Sequence, residues 1–252
     1  MEAPNDPLTD LELLALKIAL NLDDQGRLAD TYGVTLGVAG DGQRLFVGSG
    51  VPDALVPVLV EAVRSTASIS VDREPTALNA CRAVLEPVCG LLSLEAGPVY
   101  AIEPPVRTES QICVLRSDAS GTEPLRNPGN WEANEWDDLL NGICGPWAMA
   151  VVDGRVVSIC HTPLPMTAHA AECGDWTDPD FRGRGYAAAV TAAWADIVGP
   201  TRRRLFYSTD AENHASQRLA ARLALRSIGW TWHLTPASAT RSNRHPLSRP
   251  RT

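Results

Sequence analysis

Residues 177–187 read Thr-Asp-Pro-Asp-Phe-Arg-Gly-Arg-Gly-Tyr-Ala. Arg182, Gly183, Arg184 and Gly185 fall between an apolar, strand-like run and an alanine-rich, helix-like run. A strand that enters a helix through such a turn leaves backbone N–H groups unpaired at the helix start, and the helix dipole adds positive potential there. Gly183 and Gly185 lack the Cβ atoms that would hold an anion away from the backbone. The chemistry this suggests is anion binding, phosphate above all. The plainer reading is a tight loop carrying a surface arginine pair. Titratable side chains gather just upstream, at His161, His169, Glu172 and Asp175. Histidine changes charge near neutral pH and suits proton transfer. On a strand over 169–177, Glu172 and Asp175 point to opposite faces. Cys160, His161, His169 and Cys173 could ligate a metal, but their spacing matches no standard zinc pattern and they divide between two strand ends. No metal is expected.

The elements around these residues follow from periodicity. Residues 9–22 form a helical stripe headed by a capping box at Thr9 and Glu12. Two strands, 34–39 and 44–49, flank the turn signal Gly40-Asp41-Gly42. Helical stretches over about 53–64 and 76–86 precede a strand around 98–102, and Glu103-Pro104-Pro105 marks a boundary. Beyond it come a strand at 111–116, a polar loop at 118–130 and a helix at 131–141. Two apolar runs flank Asp153-Gly154, a strong two-residue hairpin signal. After the glycine turn, Ala187, Val190, Thr191, Trp194, Ile197 and Val198 recur at helical spacing up to Gly199-Pro200. A strand at 204–209, a helix capped by Asn213 and an alternating strand at 230–235 complete the pattern. Residues 237–252 are basic and polar and read as a disordered tail.

Composition narrows the function classes. The 252 residues carry a net charge of −8, with 44% hydrophobic and 21% charged residues, as in a folded soluble protein. No apolar run is long enough to cross a membrane. The N-terminal residues are acidic and polar, unlike a signal peptide, and the six cysteines form no C-x-x-C pair. A cytoplasmic protein with reduced thiols is expected. The acidic total argues against a nucleic-acid partner.

The turn and its flanks resemble the acyl-CoA-binding motif of the GNAT superfamily of N-acyltransferases, whose core is R/Q-x-x-G-x-G/A. Arg182, Gly185 and Ala187 fill that core, with Thr177 in place of the usual valine. The resemblance extends over about residues 111–235. It implies an α/β (α+β) GNAT fold, a mixed twisted sheet flanked by helices. Residues 106–236 would be the catalytic domain, and residues 1–105 an additional N-terminal α/β domain, acceptor-side or a degenerate GNAT-like half. In this family the turn amides hold the coenzyme A pyrophosphate, here Arg182, Gly183, Arg184, Gly185, Tyr186 and Ala187. The residues just before it, Trp176 and Thr177, offer backbone groups to the pantetheine arm. Asn213 and Ser216 match the family's N-x-x-S beside the cofactor; a simple helix cap is the plainer reading of Asn213. Arg202, Arg203 and Arg204 are candidates for the 3′-phosphate, or else a solvated strand start.

The resemblance also implies the reaction, transfer of an acetyl group from acetyl-CoA to a small-molecule amine. Glu172 lies on the strand from which many members supply the base, with Asp175 and His161 as alternatives. Trp131, Trp136 and Trp147 stand where the acceptor wall is built, or else form core. The family's acid tyrosine is replaced by Ala220, and the familiar G-F ending by Ala224-Leu225. Tyr207 and Ser208 are the nearest substitutes for the acid. Two other readings remain open: a GNAT-fold transferase that uses aminoacyl-tRNA as donor, and an acyl-CoA-binding regulator without turnover.

Overall fold

The computed structural model of the chain describes residues 8–29, 31–66, 70–108, 112–119, 125–129 and 131–237. From residue 238 the expected tail lies outside them, as do residues 120–124 and 130 of the expected loop. In chain order the elements begin with α1 (Asp10–Ile18), β1 (Val34–Ala39), β2 (Gly42–Val47), α2 (Val56–Arg64), α3 (Ala77–Cys89) and β3 (Leu92–Ile102). They continue with β4 (Val114–Arg116), α4 (Ala133–Leu140), β5 (Trp147–Val152), β6 (Arg155–His161) and β7 (Ala170–Thr177). Last come α5 (Tyr186–Val198), β8 (Arg204–Ser208), α6 (His214–Arg222) and β9 (Arg226–Pro236). The chain divides into two compact units, one of residues 1–99, 208–212 and 227–242, the other of 100–207, 213–226 and 243–252.

In the first unit the strand order is β2-β1-β9-β3. β1 is antiparallel to both β2 and β9. All six of its residues are buried, so its apolar run covers both faces instead of alternating. Val34, Leu36 and Val38 pack with Leu59, Leu78, Leu85, Trp232 and Leu234. The Thr9 and Glu12 capping box forms as expected, and Asp41 at the hairpin tip accepts the Leu11 N–H at 3.1 Å. On the other face of β1, Thr35 lies opposite His233, with Thr35 Oγ1 and His233 Nδ1 2.9 Å apart. Burial, together with the charge of Lys17, lowers the His233 pKa to about 4. The last strand in the chain, β9, pairs with β1.

In the second unit the order is β8-β7-β6-β5-β4. β7 and β8 run parallel and the other neighbours antiparallel, so the sheet is mixed, flanked by helices as the sequence implies. Asp153 and Gly154 form the β5–β6 turn with φ of 49° and 75°, the left-handed pair such a turn requires. α5 lies against β4 to β7. Its Trp194 is wholly buried, and the indole N–H lies 3.2 Å from the Pro146 carbonyl and 3.1 Å from Thr162 Oγ1. Truncating a tryptophan buried in this way costs about 3–5 kcal/mol. On the other face, Trp131, Trp136 and Leu139 pack with Trp147, Met149 and Ile159.

Candidate active site

The site starts from a register. β7 pairs with β8 from Ala170↔Arg204 to Cys173↔Tyr207, and there the ladder ends. β7 continues through Gly174, Asp175, Trp176 and Thr177, still paired with β6 at His161, Cys160, Ile159 and Ser158. Four residues therefore extend beyond the parallel ladder. Asp178 then turns the chain: its carboxylate pairs with Arg155 and also accepts the Asp180 N–H at 3.0 Å.

The glycine turn follows. Gly183 and Gly185 take φ of 76° and 90°, the left-handed region that glycine enters without strain. Gly185 is the N-cap of α5, and no side chain caps that helix. Its first N–H groups have no partner inside the helix, which suits them to an anion. A Cβ on Gly183 would meet open space, whereas one on Gly185 would come within 3.2 Å of the Arg222 guanidinium. Arg222, from the end of α6, therefore stands over the helix start. Arg182 turns back and donates from Nε to the Thr177 carbonyl at 3.2 Å, bracing the turn. Arg184 lies over the Phe181 ring at 5.2 Å, and Phe181 meets Tyr186 edge-on. Asn213 caps α6 by accepting the Ser216 N–H at 3.1 Å. Ser216 draws the Tyr207 pKa down, against the larger opposite effect of burial.

Strand alternation sorts the titratable residues by face. His161 lies opposite Gly174, and Trp176 opposite Ile159. Glu172, Gly174 and Trp176 share a face. That face carries the tryptophan cluster, with Trp131 edge-on to His161 at 5.2 Å. Glu172 and His161 are both buried, at 6% and 3% exposure. A Cβ on Gly174 would come within 3.2 Å of the Pro163 ring and 3.6 Å of His161 Nε2, so both residues close over the β7 backbone there. Trp131 and Trp147 each bury an indole N–H with no acceptor among the described residues.

Asp175 lies on the opposite face, beneath α5. Cys160, Cys173 and Asp175 bring one donor atom each within 4.8 Å of one another. Burial raises the Asp175 pKa to about 6, with Cys160 and Thr191 drawing it back. Burial also raises both thiols, Cys160 well above its usual value. Thr191 Oγ1 lies 3.0 Å from Asp175 Oδ1 and 2.8 Å from the Ala187 carbonyl. One hydroxyl proton cannot serve both acceptors fully, and a neutral carboxyl that donates to Thr191 resolves the conflict. Tyr207, opposite Cys173, is buried on this same side, and burial holds its proton far more tightly than in free tyrosine. Ser208 ends β8, one residue past the last rung of its ladder with β7. His169 is exposed.

Of the two readings of Arg202, Arg203 and Arg204, the fold favours the solvated strand start. Arg202, Arg203 and Arg204 follow the C-terminal end of α5, whereas the glycine turn is at its start, about 20 Å away along a 13-residue helix. Arg203 donates to the Thr167 carbonyl, and Arg202 and Arg204 are solvated. Sequence reasoning gave Arg222 no partner and missed the Cys160–Cys173–Asp175 cluster. Both depend on contacts between elements that the sequence does not register.

The fold of the second unit and this turn are those of the GNAT type. The sequence model described as Acetyltransferase (GNAT) domain matches residues 105–226, and that stretch is a domain of this family. Among solved structures it is similar to a GNAT-family acetyltransferase from Colwellia psychrerythraea, with 14% identity over 85% of this chain and 79% of that one, and a TM-score of 0.49. It is also similar to a tandem GNAT protein from the clavulanic acid biosynthesis pathway, with 14% identity over 94% and 97% and a TM-score of 0.47. A GNAT-family structure from Novosphingobium aromaticivorans matches at 14% identity over 57% of this chain and a TM-score of 0.43, and the match spans 65% of that chain's length. No curated protein matches. No helix among the described residues is long and apolar enough to cross a membrane.

Proposed function

We propose that the protein is an acyl-CoA-dependent N-acyltransferase that moves an acetyl group from acetyl-CoA to a small-molecule amine in the cytoplasm. One observation carries this reading: β7 runs four residues past its ladder with β8 and leads through one short turn into a glycine-built, uncapped helix start. In this reading the amides from Arg182 to Ala187 hold the pyrophosphate. The backbone at Trp176 and Thr177 follows the pantetheine arm, and Asn213 and Ser216 flank it from α6. The thioester then lies where the ladder ends, and the amine approaches from the face that carries Glu172, His161 and the tryptophans.

The amine nitrogen attacks the thioester carbonyl carbon, and the carbon–sulfur bond breaks. Glu172 accepts the proton lost by the nitrogen, and a β7 backbone amide stabilises the oxyanion. The departing thiolate has an ordinary pKa of about 8.5 and needs little assistance. Tyr207, at the last rung of the ladder, is the donor this reading places beside it. Its tightly held proton makes it a hydrogen-bond donor first and an acid second.

The test is thiol release from acetyl-CoA across a library of small amines, with CoA binding followed by calorimetry. Gly185→Asp should abolish binding, because its carboxylate repels phosphate and its Cβ meets Arg222. A thermal melt separates this loss from misfolding. Binding without turnover on any amine would favour the regulator, and unchanged binding in a folded Gly185→Asp protein would remove the donor assignment.

A further inference from the structure

Asp175 on β7 meets the first turn of α5 through one hydroxyl. Thr191 Oγ1 lies 3.0 Å from Asp175 Oδ1 and 2.8 Å from the carbonyl of Ala187, the second residue of the helix. The other carboxyl oxygen, Oδ2, is buried and accepts no hydrogen bond among the described residues. An ionised carboxyl would claim the one Thr191 proton, take it from the Ala187 carbonyl and leave a charged oxygen bare. A protonated carboxyl donates to Thr191, Thr191 donates to Ala187, and no charge is buried. Cys160 from β6, Cys173 from the same strand and Tyr207 from β8 also face this carboxyl, and burial keeps the proton on each. From α5 the facing group is Thr191, and from α6 the Arg222 guanidinium stands over Gly185 at the helix start. Asp175 is the member of the cluster whose charge changes near neutral pH.

A charge in this place bears on an anion at the start of α5. The Ala187 N–H is among the amides that hold the diphosphate in the reading above, and Thr191 is only about 6 Å further along the axis. Across roughly 10 Å at an effective dielectric of about 20, one charge alters the affinity for an anion by on the order of tenfold. We infer that Asp175 is a positioning residue for the donor that serves as the neutral acid, so that the protein takes up a proton when it binds the donor diphosphate. The neutral carboxyl ties β7 to the first turn of α5 without setting a negative charge beneath the phosphates. This rests on the donor reading above and adds a condition to it. In the free protein the carboxyl ionises at about pH 6, and a bound diphosphate moves that point higher. Affinity is therefore full below pH 6 and falls as pH rises through the bound value.

The probe is 3′-dephospho-CoA, which lacks the phosphomonoester that would titrate near pH 6 on its own account. It should bind the full chain about five- to tenfold more weakly at pH 7.5 than at pH 5.5. Calorimetry at pH 6.5 in two buffers of different ionisation enthalpy should report uptake of about half a proton per molecule bound. In Asp175→Asn the amide donates to Thr191 as the neutral acid does. That variant should bind as the native protein does at pH 5.5, hold the same affinity at pH 7.5 and take up no proton. A side chain with a merely structural role would change affinity equally at every pH. The uptake is read on the native protein, so the test stands even where the variant fails to fold. Native binding with no proton uptake, or with proton release, overturns the inference and leaves the donor reading intact. Uptake that persists in a folded Asp175→Asn protein belongs to another group and also overturns it. No binding of 3′-dephospho-CoA at either pH overturns the donor reading and this inference together.

Discussion

Glu172 and Asp175 are three residues apart on one strand, and alternation gives them opposite surroundings. Glu172 shares a face with His161 and the tryptophans; Asp175 is shut in with two thiols beneath α5. If Glu172 takes the amine proton, Glu172→Gln should lower turnover by about 10²–10⁴ while CoA still binds. The loss should shrink at high pH, where the free amine is already deprotonated; a loss independent of pH would point to His161 instead. Asp175 has a different signature. Its folded pKa of about 6 exceeds the ordinary 3.8, so the folded state favours the neutral acid. The associated stability is full below pH 4 and falls as pH rises through 6, by on the order of 3 kcal/mol in all. Asp175→Asn removes this dependence. In urea unfolding at pH 4 and 7.5, the variant should gain on the native protein by that order at the higher pH, and a net loss there would show that the carboxylate is stabilised by its surroundings. Both residues were legible as candidates, and so was their opposition. That Asp175 meets Cys160 and Cys173 depends on the β6–β7 register, which no local signal sets.

At the scale of elements, α6 ends with a mismatch. Ala224 takes φ of 52°, with the Leu225 N–H bonded to the Ala220 carbonyl at 3.0 Å, a helix ending that favours glycine. The left-handed conformation costs alanine about 1–2 kcal/mol. Glycine would relieve this but release more freedom on unfolding, about 0.4–1 kcal/mol. Ala224→Gly should therefore stabilise the protein by about 0.5–1 kcal/mol, read as a small rise in the denaturation midpoint; no rise would mean the turn is not strained. The Thr9 box, the Asp153-Gly154 turn and the Asn213 cap were legible because each is settled within about four residues. The length by which β7 runs past its ladder with β8 was not, because it compares strands separated by a helix.

At the scale of the whole molecule, the two units carry opposite pH responses. His233 is held near a pKa of 4, below its usual 6.5, by burial and Lys17. Its stability is present above pH 6.5 and is lost as pH falls through 4, by on the order of 3 kcal/mol. Over the same window Asp175 favours the other unit. His233→Gln should flatten the acid loss in the first unit alone, measured by hydrogen exchange of β1 and β9 amides between pH 7 and 4; an unaltered acid loss would show that His233 is not its source. The glycine turn and the GNAT fold were readable from a short motif and the order of elements around it. The membership of β9 was not, since an alternating strand names its faces but not its neighbour.

That membership sets the order in which the protein can be made. β9 separates β1 from β3 in the first unit's sheet, yet its residues are synthesised after all of β4 to α6. When residue 99 leaves the ribosome, β1 and β3 each show an edge whose partner does not yet exist. At ordinary translation rates the wait is on the order of ten seconds. For that interval the nascent chain carries open strand edges, the kind of surface that pairs with other chains. The first half of the protein to be translated is therefore the last to close.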